Sequence, residues 1–136
     1  MNWDYVIFSD FNYGAIPEKL LKNLLEKLIA NKIKFSADSQ ASSQDGDVSK
    51  FLNANLIAAT EREARMSLRD SKSGIQYLSN KLIQKACADN VIIKLGAEGM
   101  LVNEAKEENN NFVTDSVLAL NSQPIDVAGA GDAFFY

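Results

Sequence analysis

Short apolar segments alternate with helical patterns along this chain, and no other feature limits its fold as strongly. The apolar segments lie at residues 5–8, 33–37, 56–59 and 91–95. Runs of this length between helical patterns are typical of buried strands. Strands that alternate with helices favour a parallel sheet over an antiparallel meander. The sequence therefore predicts an α/β fold with the order β-α-β-loop-β-α-α-β.

Three helical patterns fill the intervals between these strands. The first begins at Pro17, because proline is favoured at the first position of a helix, and it continues to Asn31. A second helix begins at Glu61, and a third precedes the strand at 91–95. Apolar residues repeat with helical spacing along the first and third helices: Leu20, Leu21, Leu24, Leu25, Leu28 and Ile29, then Ile75, Leu78, Leu82, Ile83 and Ala86.

Two polar segments predict connections between these elements. Residues 39–47 are rich in Ser, Gln and Asp and predict a loop. Residues 104–111 are rich in Asn and predict a hairpin connection between the apolar runs at 100–102 and 112–114. No internal repeat or linker interrupts the 136 residues, which are enough for one domain with its own core.

The composition excludes several classes of function. The 14 basic and 18 acidic residues give a net charge of −4 without a basic cluster, so the sequence predicts no nucleic-acid partner. The absence of histidine excludes Ser-His-Asp catalysis and histidine-bound zinc within this chain. The single cysteine, Cys87, allows no disulfide and lies in a helical stretch, where a small buried thiol is common. Without an apolar run of membrane-spanning length or a signal peptide, we expect a cytoplasmic protein with no membrane partner.

A glycine-rich turn followed by a carboxylate occupies residues 125–136. Gly129 and Gly131 can adopt positive φ and leave no Cβ in the way, so that consecutive N–H groups can converge on an anion. A helix beginning near Ala130 would add unpaired amides and a partial positive charge. Asp132, beside such an anion hole, could take a proton from a hydroxyl that attacks a phosphate. These residues favour phosphoryl transfer to an alcohol, although a simple strand-to-helix turn with an Asp cap has the same composition.

Four segments resemble the ribokinase-like, or PfkB, carbohydrate kinases, in the expected order. Residues 126–132 match the D-x-x-G-A-G-D signature, and Leu95 to Gly99 match the L-G-x-x-G turn. Residues 56–64 are similar to the T-P-N-x-x-E-A segment. Residues 9–14 are similar to the S-D-Y-x-K-G turn of the heptose-phosphate kinase branch, known from the ADP-heptose synthases. The resemblance implies a ribokinase-like fold with a mostly parallel sheet flanked by helices.

The resemblance also implies that residues 1–136 are a partial kinase domain, without the N-terminal half and the C-terminal helices of the family. It implies transfer of the γ-phosphoryl group of ATP, with Mg²⁺, to the hydroxyl of a sugar or sugar phosphate. Asp132 would be the general base, and the amides of Gly129, Ala130 and Gly131 would stabilise the transferred group. Asp126 would hold a monovalent cation such as K⁺ beside this loop.

For the nucleotide, the resemblance implies contacts from Lys94, Gly96 and Gly99. The family often has Thr in place of Lys94, so its backbone is a firmer part of this prediction than its side chain. Thr60 and Glu63 would lie in the magnesium shell, with Thr60 in the place of the family's Asn. A Thr followed three residues later by Glu is also a capping box, and the two roles are compatible.

On the substrate side, the predicted residues are Asp10 and Asp38, each of which follows a strand. A turn Asp that bonds its own backbone is an equally good interpretation of Asp10. Asp38 is followed by Ser39 and Gln40, where the family commonly has Pro-Lys, and the missing lysine weakens a phosphate role for that loop.

The acceptor that the resemblance favours is a heptose phosphate or a related carbohydrate. Two alternatives stay open at this point: a ribokinase-fold kinase for another small alcohol, such as hydroxymethylpyrimidine phosphate, and a fragment that binds nucleotide without catalysis. We also expect self-association, because a partial sheet leaves open edges and apolar surface.

Overall fold

The computed structural model describes residues 3–40, 46–106 and 111–120. This part of the chain forms a six-stranded sheet and three α-helices. In chain order the elements are β1 (Tyr5–Asp10), α1 (Glu18–Ala30), β2 (Lys34–Ser39), β3 (Leu56–Thr60), α2 (Glu61–Leu68), α3 (Ile75–Ala86), β4 (Asn90–Lys94), β5 (Met100–Ala105) and β6 (Phe112–Val117).

The sheet is mixed, with its strands in sequence order from β1 to β6. The pairs β1–β2, β2–β3 and β3–β4 are parallel. The pairs β4–β5 and β5–β6 are antiparallel, and β5 and β6 form a hairpin in which Met100 pairs with Val117 and Ala105 with Phe112. The predicted α/β order and the mostly parallel sheet are confirmed, and the two hairpin strands are longer than the apolar runs suggested.

One face of the sheet carries the hydrophobic core. Alternate residues of the strands point to this face, because side chains alternate along a strand. Phe8 and Phe35 meet edge to face there, with ring centroids 5.8 Å apart. The buried side chains of this layer include Phe8, Phe35, Ile57, Val91 and Ile93 from the strands and Leu21, Leu25, Leu28, Leu82 and Ile83 from α1 and α3.

The opposite face is exposed at both edge strands of the sheet. On β1, Tyr5 and Ile7 are exposed, and on β6, Val113 and Val117 are exposed. The register places all four on the face opposite to Phe8. Apolar surface at two sheet edges is the feature on which the expectation of self-association depends.

Some element boundaries differ from the predicted ones. β2 continues to Ser39, beyond the predicted end of the strand, so the loop begins later than expected. A 3₁₀ turn at Val48–Lys50 was not predicted, because three residues are too few to show a period. Pro17 precedes the first helical residue instead of occupying it, since its ψ of 148° is extended.

The expectation of a buried thiol at Cys87 was wrong. α3 ends at Ala86, and Cys87 follows in the left-handed conformation with φ of 51° and is exposed. Its amide donates to the carbonyl of Ile83 and closes the helix. None of the helices in the described ranges is long and apolar enough to cross a membrane.

Candidate active site

Four predicted site residues lie at or next to the same edge of the sheet. Asp10 is the last residue of β1, and Asp38 is the penultimate residue of β2. Thr60 ends β3 and pairs in register with Lys94, which ends β4. Because these strands are parallel, their carboxyl ends meet at one edge, where open α/β sheets bind ligands. The structure therefore brings residues from four separate segments to one edge.

Asp38 and Lys94 form an ion pair across β3. The Lys94 ammonium donates to Oδ1 of Asp38 at 3.1 Å and to Oδ2 at 3.4 Å. Ala58 of β3, which pairs with Asp38, has a small and fully buried side chain, and this leaves room for the lysine to cross the strand. A buried carboxylate needs such a partner, because desolvation of an unpaired charge is costly.

A second group of polar side chains surrounds Asp10. Its Oδ1 accepts the amide of Asn12 at 2.9 Å, and its Oδ2 accepts the ammonium of Lys50. Lys50 also donates to Oδ1 of Asn12 at 3.1 Å. The Asn12 side-chain amide donates to Ser39 Oγ at 2.9 Å and to the Gln40 carbonyl at 2.8 Å. The turn interpretation of Asp10 is thus confirmed, and the carboxylate has a lysine partner in addition.

Sequence reasoning missed Asn12 and Lys50. Asn12 has φ of 57°, a conformation that asparagine tolerates better than most residues, so its position two residues after Asp10 was a usable turn signal. Lys50 lies 40 positions from Asp10 in the sequence. No local pattern connects residues so far apart.

Thr60 and Glu63 form a complete capping box at the start of α2. Thr60 Oγ1 accepts the amide of Glu63 at 3.3 Å, and Glu63 Oε2 accepts the amide of Thr60 at 2.7 Å. Glu63 is buried. The capping role is confirmed, whereas the magnesium role stays a prediction.

The donor set near Glu63 fits a mostly hydrated magnesium ion. Within residues 3–40, 46–106 and 111–120, no group of three or more Asp, Glu, Cys or His side chains could hold a metal. Magnesium usually keeps several waters and takes one or two carboxylates. One oxygen of Glu63 already accepts the Thr60 amide. Contact through water therefore suits Glu63 better than a site built from several carboxylates.

Gly96 and Gly99 begin and end the turn between β4 and β5, and both have positive φ, 62° and 96°. A Cβ at Gly99 would lie 2.0 Å from the Val117 carbonyl oxygen and 2.7 Å from the Ala119 nitrogen. A Cβ at Gly96 would meet nothing within 4 Å. Gly99 is thus required by close backbone packing, while Gly96 lies in open space on the exposed side of the turn.

An open cavity of about 550 Å³ lies beside this turn. It is lined by Thr60, Glu61, Arg62, Arg65, Met66, Lys94, Leu95 and Gly96. Arg65 is engaged by Glu61 at 2.7 Å and Lys94 by Asp38. Arg62 is exposed and has no salt-bridge partner among the described residues. Sequence reasoning did not select either arginine, although guanidinium groups suit phosphate well.

The predicted catalytic loop lies outside the described residues. This applies to Gly129, Ala130, Gly131 and Asp132, and to Asp126 as the cation ligand. Their roles stay predictions from the sequence.

A comparison with known sequences gives a family match over nearly the whole chain. Residues 2–135 match the pfkB family carbohydrate kinases. Bifunctional protein HldE of Desulfatibacillum aliphaticivorans is 30% identical over 134 residues, which cover 95% of this chain and 25% of the relative. The chain thus spans about a quarter of the length of this curated relative.

Solved structures share the fold. Phosphofructokinase-2 from Escherichia coli, in complex with substrates and products, superposes with a TM-score of 0.74 at 18% identity, over 96% of this chain and 41% of that one. Ribokinase from Arabidopsis thaliana, complexed with ribose and ATP, gives 0.70 at 16% identity, over 97% and 40%. These likenesses confirm the predicted ribokinase-like fold. The family match over residues 2–135 shows that this chain belongs to the PfkB family of carbohydrate kinases.

Proposed function

We propose that this chain is the catalytic part of an ATP-dependent kinase that phosphorylates a hydroxyl of a heptose phosphate or a related carbohydrate. The observation that carries the proposal is that the strands of Asp10, Asp38, Thr60 and Lys94 end at one edge of the sheet. Asp38, Thr60 and Lys94 share one face there, and Thr60 and Lys94 line an open cavity with basic walls. Open α/β sheets bind ligands outside the carboxyl ends of their strands, so both substrates would have access to this edge.

The cavity beside the turn at Gly96–Glu98 is the proposed nucleotide site. The exposed backbone of Gly96 leaves space for a phosphate to approach, and Arg62 and Lys94 supply positive charge. Lys94 would share its ammonium between Asp38 and the nucleotide. The role of Gly99 in this site is to hold the turn closed against the end of β6.

Glu63, with Thr60 beside it, would hold magnesium at the start of α2. When bound, it neutralises charge that develops on the transferred phosphoryl group. Glu63 would orient waters around the ion, and Thr60 would fix the position of Glu63 through the capping box.

The proposed chemistry requires a base next to an anion hole. Asp132 takes the proton of the acceptor hydroxyl, and the resulting oxygen attacks the γ-phosphorus of ATP while ADP leaves. The amides of Gly129, Ala130 and Gly131 stabilise the charge on the transferred group, and Asp126 holds a monovalent cation beside them. The support for these roles is the D-x-x-G-A-G-D sequence and the family match across it.

The acceptor side of the proposed site is the edge formed by β1 and β2. Two buried carboxylates, Asp10 and Asp38, lie at this edge, each held by a lysine. Carboxylates of this kind can accept hydrogen bonds from sugar hydroxyls. The similarity to Bifunctional protein HldE supports a heptose phosphate as the acceptor. We further propose that the reaction takes place in the cytoplasm.

Turnover of ATP to ADP tests this proposal. We would assay two proteins: the 136-residue chain, and a chimeric enzyme in which this chain replaces the corresponding segment of the Desulfatibacillum relative. Each is tested with heptose 7-phosphate and with hydroxymethylpyrimidine phosphate. Asp132→Asn should lower kcat by about two orders of magnitude or more while ATP affinity is nearly unchanged. Activity with the pyrimidine alone would favour the other kinase class. Nucleotide binding without turnover in either setting would favour a non-catalytic fragment.

A further inference from the structure

Lys50 brings a positive charge to the β1 end of the candidate site from an unexpected part of the chain. It is the last residue of the 3₁₀ turn Val48–Lys50, between β2 and β3. Its ammonium donates to Asp10 and to Asn12, and lies 5.4 Å from the centroid of the Phe51 ring. The lysine therefore reaches the same edge as the predicted substrate-side residues.

The backbone that carries Lys50 is firmly anchored. The Asp47 carboxylate accepts the amide of Ser49 at 2.8 Å, and the amide of Val48 donates to Ser67 Oγ at 2.9 Å. Val48 and Phe51, on either side, are almost completely buried. The side chain of Lys50 is nevertheless 29% exposed, while that of Asp10 is 3% exposed. The backbone that carries Lys50 is thus fixed, while its ammonium is accessible to a ligand.

Among the described residues, the donors and acceptors around Asp10 leave one N–H of Lys50 without an acceptor. Each oxygen of Asp10 has a donor, and both N–H groups of the Asn12 side chain are used. A lysine ammonium has three N–H groups, of which Lys50 uses one for Asp10 and one for Asn12. The third is not accepted by any of the described residues. An acceptor atom of a ligand can take this position.

The remaining N–H of the Lys50 ammonium favours an anionic ligand group here, because hydrogen bonds between charged groups are the stronger ones. The sequence from Gln40 to Asp47, after β2, contains no basic residue, so this loop contributes no cation. Lys94 is bound by both oxygens of Asp38. Resting on the proposed function, we propose that Lys50 binds the phosphate of the acceptor and thereby selects phosphorylated sugars over plain sugars.

The test is the preference for a phosphorylated acceptor. Heptose 7-phosphate and unphosphorylated heptose would be compared in the chimeric enzyme and in the chain alone. Lys50→Met should lower kcat/KM for the sugar phosphate by about tenfold or more, because it removes a charged hydrogen bond. The value for the plain sugar should fall less, through the unpairing of Asp10 alone, so that the ratio of the two kcat/KM values falls. Lys50→Arg should keep most of the preference because it keeps a cation.

Lys85→Met is the matched control. Lys85 donates to the Ser67 carbonyl at 2.5 Å and pairs with Asp47 at 3.5 Å, so it braces the same 3₁₀ turn. Its removal should lower the melting temperature without changing the preference between the two acceptors. A Lys50→Met enzyme that loses activity equally with both acceptors, or that keeps the full preference, would overturn the proposal.

A titration separates this proposal from the proposed function. If the unmutated protein turns over neither acceptor, the kinase proposal fails, and binding of heptose 7-phosphate to the chain still decides the role of Lys50. NMR shifts of the Asn12 amide that saturate in the unmutated and Lys85→Met chains, but not in Lys50→Met, support the phosphate site. Absence of any such shift in the unmutated chain refutes it.

Discussion

At the residue scale, the carboxylates of the candidate site are held in place by neighbouring side chains. Asp10 and Asp38 are both buried, and each is paired with a lysine that comes from another segment. Breaking such a pair leaves a buried charge without a partner, which costs about 3–5 kcal/mol. The same contacts that stabilise the fold therefore fix the orientation of groups at the site.

Glu63 tests whether a residue of this edge does more than cap a helix. Glu63→Gln keeps an oxygen that can accept the Thr60 amide but loses the negative charge that a magnesium shell needs. We expect the melting temperature to change by a few degrees at most. In the chimeric enzyme the rate should fall and the apparent magnesium constant should rise, as measured at saturating ATP.

The control for this prediction is Thr60→Val, which removes the hydroxyl that accepts the Glu63 amide. It should cost about 1 kcal/mol of stability through the lost cap. If Glu63→Gln leaves both the rate and the magnesium constant unchanged, Glu63 is a helix cap and nothing more.

The predictability of the site differs from residue to residue. Asp10, Asp38 and Lys94 could be assigned to one edge because each follows an apolar run and parallel strands end together. The Asp38–Lys94 pair could not be predicted, since it depends on the register of β3. This register places the small side chain of Ala58 beside Asp38, where Lys94 crosses the strand. The contact between Lys50 and Asp10 depends equally on the packing of distant segments.

At the element scale, the order of strands and helices follows from periodicity, while several ends do not. The leucine repeat of α1 and the apolar face of α3 persist over several turns and define both helices. The 3₁₀ turn Val48–Lys50 is fixed instead by side-chain contacts, from Asp47, which precedes the turn, and from Ser67 on α2. Such contacts leave no period in the sequence.

The connection between α2 and α3 carries a pH-sensitive carboxylate. Hydrogen bonds from the Ser73 hydroxyl at 2.6 Å, the Ser73 amide and the Lys72 amide lower the pKa of Asp70 from 3.8 to about 2. Because the pKa is lowered in the folded state, the stabilisation is complete above about pH 4 and is lost as the pH falls towards 2. A carboxyl NMR titration should show the low midpoint.

The matched variant for Asp70 is Ser73→Ala, which removes the hydroxyl donor with the largest effect. It should move the pKa of Asp70 back towards its ordinary value. In Asp70→Asn, urea unfolding should lose less stability between pH 4 and pH 2 than in the unmutated chain. An Asp70 midpoint near 3.8 in the unmutated chain would contradict the hydrogen-bond arrangement.

The turn between β4 and β5 offers a second test at this scale. Gly99→Ala places a methyl group 2.0 Å from the Val117 carbonyl oxygen and should destabilise the chain by about 3 kcal/mol or more, since overpacking adds to the strain of positive φ. Gly96→Ala meets no atom within 4 Å and should cost only about 1 kcal/mol. Urea denaturation of both variants compares them, and equal losses would contradict the close packing at Gly99.

At the scale of the whole molecule, the six strands form a sheet with one well-covered face. The helices α1, α2 and α3 pack around the core on that face. The opposite face is exposed at β1 and β6, the two edge strands of the described sheet. The region that matches this chain is 41% of the chain of phosphofructokinase-2 from Escherichia coli. The exposed apolar side chains at these edge strands favour association of the isolated chain with other copies.

We expect the isolated chain to self-associate through the β1 edge, because unpaired strand groups and apolar side chains both favour pairing with another copy. Ile7→Lys places a charge on this strand and should shift the chain towards monomer in sedimentation velocity across a concentration series. Ile29→Lys on α1 is the matched control, since Ile29 and Ile7 are similarly exposed, at 47% and 43%, but only Ile7 lies at the sheet edge. If association involves the sheet edge, Ile29→Lys leaves it unchanged. A chain that stays monomeric at all concentrations, or that responds equally to both variants, would contradict edge pairing.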